Sequence, residues 1–278
     1  MKAVRNYWVL LLLSLLIVGS RQVLADELRG FKELPPRTVD IRPFSDQDID
    51  DLISTLDSLL DRDTSDRSGE DAANDLWTFR ERLQSGQLES SQEARVLEHL
   101  DILARLYPSE SHTIEKERRL IGQLTVGKPA PNIVGNDLNG KALRLSDYHG
   151  RVVVLAFSGE WCGSCRLEYP YQRLMLDVYK NQPLTILSVD SDKDPHVALD
   201  AKASRGLTYR SWWDGSGPKS TEGPIATAWG IMGWPTTYVI DREGVIRFVN
   251  LRQEDLLKAV KQLMAEPDAT AAPQAQPE

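Results

Sequence analysis

The chain has 278 residues, 41% of them hydrophobic, and a formal net charge of −8 at pH 7. This length leaves room for a large core and predicts two domains, and the acidic balance fits our expectation of no nucleic-acid partner. The chain contains only two cysteines, which excludes a four-cysteine zinc site and a network of structural disulfides.

The first 25 residues have the pattern of an export signal. Lys2 and Arg5 supply the positive start, residues 9–18 are almost wholly apolar, and Ala25 ends a small-residue cleavage site. With its flanking aromatic residues the apolar run is about twelve residues, short of the roughly 20 that span a bilayer. We therefore predict export to the periplasm, with cleavage after Ala25. The alternative is an uncleaved signal that anchors the protein in the membrane.

Residues 26–125 form an acidic region that we predict to be helical. They contain 23 acidic and 13 basic residues, whereas residues 126–278 contain 18 and 17. Apolar residues recur at helical spacing. One predicted helix begins near Ser45, and the other three span residues 71–83, 92–106 and 113–124. Four short amphipathic helices are typical of a small bundle. The region has no catalytic motif, so we interpret it as a packing module with a solvated face; dimerisation or client docking is the alternative.

A redox-active dithiol is predicted where a strand meets a helix. Residues 151–157 are mostly β-branched or aliphatic and predict a strand buried on both faces, and apolar residues recur at helical spacing after Cys162. Cys162 therefore falls at a helix N-terminus, where unpaired amide groups and the macrodipole stabilise a thiolate and lower its pKa. Cys165 follows one turn later on the same face. We predict that Cys162 attacks a disulfide and that Cys165 then displaces the product.

Two other uses of the cysteine pair fit the sequence less well. A zinc site usually has four ligands, and the chain has neither a second CxxC motif nor a ligand spacing among its four histidines. A structural disulfide that closes so short a loop constrains the unfolded chain little. We expect neither a metal nor an organic cofactor.

The remaining pattern predicts the other elements of an α/β domain. Asn139 and Gly140 predict a hairpin before the dithiol strand. The elements predicted after the dithiol helix are a strand at residues 183–189, a helix at 195–204, a loop with packed tryptophans at 206–223, strands at 237–240 and 245–250 and a helix at 253–264. Residues 266–278, rich in Ala, Pro and Gln, predict a disordered tail.

Four segments in a fixed order carry a resemblance to a known family. They are residues 126–133, residues 137–148, residues 161–170 (WCGSCRLEYP) and residues 233–241 (GWPTTYVID). The first two form a leader like that of the AhpC/TSA redoxins, and the last two resemble exported thiol-disulfide oxidoreductases of the TlpA/ResA type in the thioredoxin superfamily. The resemblance covers about residues 126–265. It implies a thioredoxin fold with a mixed central sheet flanked by helices, preceded here by the small all-α region.

The resemblance also implies a substrate groove beside a Cys162–Cys165 disulfide. Pro235 is expected to be cis and to pack opposite the dithiol, which an X-Pro bond permits at a cost under about 1 kcal/mol. Trp161, Trp234 and Pro235 are then expected to shape the groove, with Trp234 as an apolar contact or a shield. The alternative is an ordinary trans proline that starts a strand.

Glu168 is the candidate proton carrier. It matches an acidic residue of this family and follows Cys165 by three residues, on the same helical face, so it either handles the proton of Cys165 or is a solvated glutamate. Thioredoxins have a buried acid where this chain has Ala156. Proton handling then falls to Glu168, Glu160 or water.

We predict an exported protein-disulfide oxidoreductase that acts on protein thiols and disulfides. A membrane electron donor and a client of cytochrome c maturation are candidate partners implied by the resemblance. One rival is a thiol peroxidase, although Gly159 stands where peroxiredoxins have Thr or Ser three residues before the reactive cysteine. The other rival is a non-enzymatic binding module centred on residues 26–125.

Overall fold

A computed structural model of the chain describes residues 44–60, 88–217 and 221–267. The predicted signal, the helix expected at residues 71–83 and nearly all of the predicted tail lie outside these residues. The described residues fall in one compact unit. No helix among them is both long enough and apolar enough to cross a bilayer.

Three helices make up the described part of the N-terminal region: α1 (Asp46–Leu60), α2 (Ser90–Leu106) and α3 (Ser111–Gln123). Gln92 ties the first two together, because its amide nitrogen donates to the carbonyl of Phe44 at 3.0 Å. Its side-chain oxygen accepts from the N–H of Glu89 at 3.2 Å, as in a capping box. The helices predicted near Ser45 and at residues 92–106 and 113–124 are confirmed. Their apolar stripes share one core, formed by Phe44, Ile49, Leu52, Leu56, Val96, Leu100, Leu103, Ile114, Leu120 and Ile121.

The rest of the described chain is an α/β unit built on a five-stranded sheet. An antiparallel hairpin comes first, as predicted from Asn139 and Gly140. The elements follow in this order: β1 (Val134–Asn136), β2 (Ala142–Arg144), β3 (Val152–Ser158), α4 (Gly163–Arg166), α5 (Tyr169–Val178), β4 (Leu184–Asp190), α6 (Pro195–Arg205), β5 (Arg210–Trp213), α7 (Pro224–Ala228), β6 (Thr236–Ile240), β7 (Ile246–Val249) and α8 (Gln253–Ala265).

The sheet has the strand order β5-β4-β3-β6-β7. Strands β3, β4 and β5 are parallel, whereas β6 and β7 are antiparallel to their neighbours. Strand β3 lies in the centre, and all seven of its residues are buried, which confirms the strand predicted to be buried on both faces. The predicted thioredoxin fold with a mixed sheet is therefore confirmed, and the dithiol follows its central strand.

The prediction of a continuous loop at residues 206–223 is wrong, because this stretch contains β5. The strand has only four residues and is flanked by Gly, Ser and Pro, so its sequence pattern is weak. Its place depends on pairing with β4 and on Trp212, whose side chain is buried and whose indole N–H donates to the Leu143 carbonyl at 3.1 Å. Helix α7, which follows, was also absent from the prediction.

The predicted dithiol helix is interrupted, so that α4 and α5 replace one continuous helix. Pro170 lies in the first turn of α5, where its missing N–H costs nothing, but it cannot donate to a preceding turn. The interruption leaves Glu168 at the junction, as the residue that precedes α5.

Candidate active site

The two cysteines form a disulfide at the start of α4. Their Cα atoms are 5.2 Å apart. Cys162 is the N-cap residue, and its sulfur accepts a hydrogen bond from the N–H of Cys165 at 3.2 Å. Cys162 is 6% exposed and Cys165 is 1% exposed. Cys162 is therefore the outer residue of the pair and Cys165 the inner one.

The loop before Cys162 is fixed by hydrogen bonds to the end of β4. The N–H of Cys162 donates to the Gly159 carbonyl at 3.0 Å. The indole N–H of Trp161 donates to the Ser191 hydroxyl at 3.1 Å, and the N–H of Glu160 donates to the Asp192 carboxylate at 2.8 Å. These bonds orient the sulfur of Cys162 before any substrate arrives.

A second loop carries the cis proline that the resemblance implies. The Trp234–Pro235 bond is cis, so the alternative of a trans proline is wrong. Trp234 contacts the dithiol loop: its ring and that of Trp161 meet edge to face, with centroids 5.9 Å apart and planes at 77°. The two aromatic side chains therefore join the loop of the dithiol to the loop of the proline.

Glu168 is buried behind the dithiol. It is 4% exposed, so the alternative of a solvated glutamate is wrong. One carboxylate oxygen accepts from the N–H of Gln253 at 2.9 Å. Burial raises the pKa of Glu168, and this hydrogen bond and the positive charge of Arg252 oppose the rise only in part. A raised pKa suits a carboxyl group that takes up a proton and later releases it.

Glu160, the other predicted proton handler, is held in an ion pair. Its carboxylate lies 2.7 Å from the guanidinium of Arg205, and the hydroxyl of Tyr169 donates to it at 3.3 Å. These two contacts hold the Glu160 side chain against Arg205 and Tyr169. We therefore infer that Glu160 holds the dithiol loop in place and does not transfer a proton.

A buried polar chain ends beside Ala156, the position at which thioredoxins have an acid. Ala156 pairs with Ser188 across the parallel strands. The Ser188 hydroxyl contacts that of Ser211, which accepts from the ammonium group of Lys202. Burial lowers the pKa of Lys202 to about 7. The sequence does not predict a role for Lys202, because this row of hydrogen-bonded side chains forms only when strands β3, β4 and β5 pair.

Sequence reasoning also missed Arg252 and Gln253. Arg252 precedes α8 and Gln253 begins it, far along the chain from the dithiol. Arg252 contacts the proline loop, and Gln253 contacts Glu168. Arg252 donates to a backbone carbonyl, and such an acceptor has no signature in a sequence.

Comparisons with known proteins identify relatives over the α/β unit. The model of the AhpC/TSA family matches residues 126–249. The thiol-disulfide oxidoreductase ResA of Geobacillus thermodenitrificans is 33% identical over 137 residues, which are 48% of this chain and 75% of that protein. ResA of Bacillus subtilis is 31% identical over 123 residues, 44% of this chain and 65% of that protein. The family model does not extend over the N-terminal helices.

Among solved structures, the thioredoxin domain of a thiol-disulfide oxidoreductase from Bacteroides vulgatus aligns with a TM-score of 0.46 and 27% identity. It covers 51% of this chain and 99% of that domain.

Proposed function

Because the chain belongs to the thiol-disulfide oxidoreductases of the ResA type, we propose that it exchanges disulfides with protein substrates outside the cytosol through Cys162 and Cys165. The observation that carries this proposal is the position of Cys162, which caps α4 with its sulfur and is more exposed than Cys165. The apolar run and the cleavage pattern that ends at Ala25 support export, and disulfide exchange suits that environment.

The reaction proceeds in two exchanges that balance. The thiolate of Cys162 attacks one sulfur of the substrate disulfide, a Cys162–substrate disulfide forms, and the other substrate sulfur leaves as a thiolate. Cys165 then loses its proton to Glu168 and attacks the sulfur of Cys162. The Cys162–Cys165 bond forms and the second substrate sulfur leaves. The substrate gains two electrons and two protons, the dithiol loses both, and the reverse sequence oxidises a substrate dithiol.

The local geometry supports these roles. The N–H of Cys165 that now donates to the sulfur of Cys162 stabilises a thiolate more than a thiol, because hydrogen bonds to charged acceptors are stronger. The N–H of Glu168 donates to the Cys165 carbonyl at 3.1 Å, which places the acid one turn after the inner cysteine. Its raised pKa suits a group that accepts a proton and later returns it.

Trp161, Trp234 and Pro235 form the side of the site that would receive an extended substrate. The contact between the two indoles gives this side a fixed, largely apolar surface. We infer that substrates are protein thiols and disulfides in unfolded or extended segments. A membrane-bound dithiol donor and a client of cytochrome c maturation are the partners that this role suggests.

The test uses purified protein with insulin as the disulfide substrate. Cys162→Ser is expected to abolish exchange and to trap no mixed disulfide, whereas Cys165→Ser is expected to accumulate a covalent adduct with the substrate. Ser164→Ala is the control, since it removes only the hydroxyl 3.3 Å from the sulfur of Cys162. Exchange that persists in Cys162→Ser would exclude the proposal, and peroxide consumption dependent on Cys162 without insulin reduction would instead favour the peroxidase.

A further inference from the structure

Arg252 connects the proline loop to the last helix. It is the N-cap residue of α8, and its guanidinium turns back toward the sheet. One nitrogen donates to the carbonyl of Pro235. Another donates to the hydroxyl of Thr237 at 3.3 Å and to the carbonyl of Leu251 at 3.0 Å. The guanidinium therefore holds the first residues after the cis peptide bond.

The next residue holds the acid. The N–H of Gln253 donates to the carboxylate of Glu168 at 2.9 Å. Gln253 has a φ of +48°, a left-handed conformation that is unfavourable for a residue other than glycine. Turning the chain in this way aims the N–H at Glu168. The conformation is held because Glu168 binds the N–H of Gln253 and the preceding residue, Arg252, is bound to the proline loop.

We propose that Arg252 is a positioning residue of the exchange site. Its side chain holds the proline loop directly, and it holds the carboxylate of Glu168 through the backbone of Gln253. This inference rests on the proposed function. The two groups that it connects are the loop that would receive the substrate and the acid that would take the proton of Cys165. A single side chain thus couples substrate docking to proton transfer.

Charge adds to this geometry. Among the described residues, the groups that act on Glu168 are the N–H of Gln253 and the positive charge of Arg252, and both favour its ionised form. Removing the guanidinium while keeping the fold should therefore raise the pKa of Glu168 further. A lysine at the same position would keep the charge but lose the planar fork that binds the carbonyl of Pro235 and the hydroxyl of Thr237 together.

The two variants separate the two effects. Arg252→Met is expected to shift the acidic limb of the pH–rate profile for peptide-disulfide exchange to higher pH, and to raise KM several-fold. Arg252→Lys is expected to restore the position of the limb while KM stays high. If Arg252 has only a structural role, KM and the acidic limb should change equally in both variants, in proportion to the stability that each variant loses.

Arg247→Met is the matched control. Arg247 is also partly buried and also bridges two elements, through Asp241 on one side and Glu266 on the other. Its loss should lower stability without moving KM or the pH limb. Wild-type KM and wild-type pH dependence in both Arg252 variants would overturn the proposal, as would the same shifts in Arg247→Met.

Glu168→Gln identifies the group that titrates. In Glu168→Gln the acidic limb should report only the ionisation of the Cys162 thiol, and adding Arg252→Met should then raise KM without shifting the limb. A shift of the limb by Arg252→Met that persists in the Glu168→Gln background would contradict the assignment to Glu168. Failure of the proposed function itself is distinct, because the wild-type protein would then exchange no disulfides under any of these conditions.

Discussion

Gly159 is required by the close packing of the dithiol loop. A Cβ atom built at this position would lie 2.3 Å from the indole nitrogen of Trp161 and 3.0 Å from the hydroxyl of Ser191. Any larger residue must therefore displace the indole and break its hydrogen bond to Ser191. The packing of this loop thus explains why Gly159 stands where a peroxiredoxin would have Thr or Ser.

We expect Gly159→Ala to destabilise the oxidised protein by about 1–3 kcal/mol, the usual cost of overpacking a fixed site. Urea denaturation of the oxidised protein measures this loss. Gly163→Ala is the control: its Cβ would meet only the end of the Arg166 side chain at 3.9 Å, and alanine is the better helix residue, so stability should stay the same or rise. Equal stability of Gly159→Ala and wild type would show that the indole moves at no cost.

Glu168 should make stability depend on pH. Its pKa is raised in the folded protein, so the folded state keeps a proton that the unfolded chain releases at lower pH. The favourable contribution of this proton is complete below the unfolded pKa and is lost as the pH rises through the folded pKa. Above that window the folded protein holds a buried carboxylate at a cost.

We therefore expect Glu168→Gln to gain stability relative to wild type as the pH rises through this window, and the difference to be constant above it. Gln keeps a side-chain oxygen that can accept from the N–H of Gln253. The measurement is urea denaturation of the oxidised proteins between about pH 4 and pH 8. Glu254→Gln controls for the loss of one exposed negative charge. A difference between Glu168→Gln and wild type that does not vary with pH contradicts the raised pKa.

At the level of elements, helix α7 depends on a single carboxylate. Asp214 follows β5 and accepts from the N–H groups of Ile225 and Ala226 at 2.8 and 2.9 Å. Gly223 must be glycine for this contact, because a Cβ there would lie 2.0 Å from a carboxylate oxygen of Asp214. Asp214 thus anchors the start of the segment that leads into the proline loop.

Asp214→Ala should cost about 1–3 kcal/mol, because it leaves two amide groups without their charged acceptor in a buried place. Asp214→Asn should cost less, since its oxygen can accept one of the two bonds. The comparison is Asp194→Ala, in which an exposed carboxylate that caps α6 through the N–H of His196 is lost, at a cost of about 1 kcal/mol. If the thermal midpoint falls more in Asp194→Ala than in Asp214→Ala, the anchoring role of Asp214 is wrong.

The elements differ in how far their sequences predict them. Strand β3 was predictable because six of its seven residues, Val152 to Phe157, are apolar without interruption, and both faces of the sheet need such residues. Strand β5 was not, because four residues between turn-forming neighbours leave no pattern. The cysteine pair and the cis Pro235 followed from motifs, whereas Arg252 and Lys202 reach the site through contacts between distant segments.

At the level of the whole molecule, the segment from α3 to Leu124 contributes to two cores. Leu120 and Ile121 pack in the core of the N-terminal helices, and Leu124, just past the end of α3, packs in the core of the sheet. Gly230, in the segment before the proline loop, lies against Leu120 and Leu124. The helical region therefore supports this segment, and the domain boundary near residue 125 stays a prediction.

Two ion pairs reinforce this contact. Lys116, buried in α3, binds Glu222 at 3.0 Å, and Lys128 binds Glu93 of α2 at 2.8 Å. A buried ammonium group is costly to leave unpaired. These contacts join the helices to the α/β unit and agree with the packing role inferred for the acidic region.

We expect the helices and the sheet to unfold in one transition. Leu100→Ala, in the core of the helices, should cost about 2–5 kcal/mol and should move the entire calorimetric peak to lower temperature. Ile102→Ala, at a side chain that is 39% exposed, should move it little. A second peak that stays in place in Leu100→Ala would show that the sheet is stable without the helices.

We expect Cys162 to be an acidic, reachable thiol and Cys165 to be neither. Both properties are measured by the pH dependence of iodoacetamide alkylation of the fully reduced protein, with each cysteine quantified by mass spectrometry. We expect Cys162 to be alkylated first, with an apparent pKa below the free-thiol value of about 8.5, and Cys165 to react slowly at every pH. Alkylation of both cysteines at similar rates, each with a midpoint near the free-thiol value, would contradict this expectation.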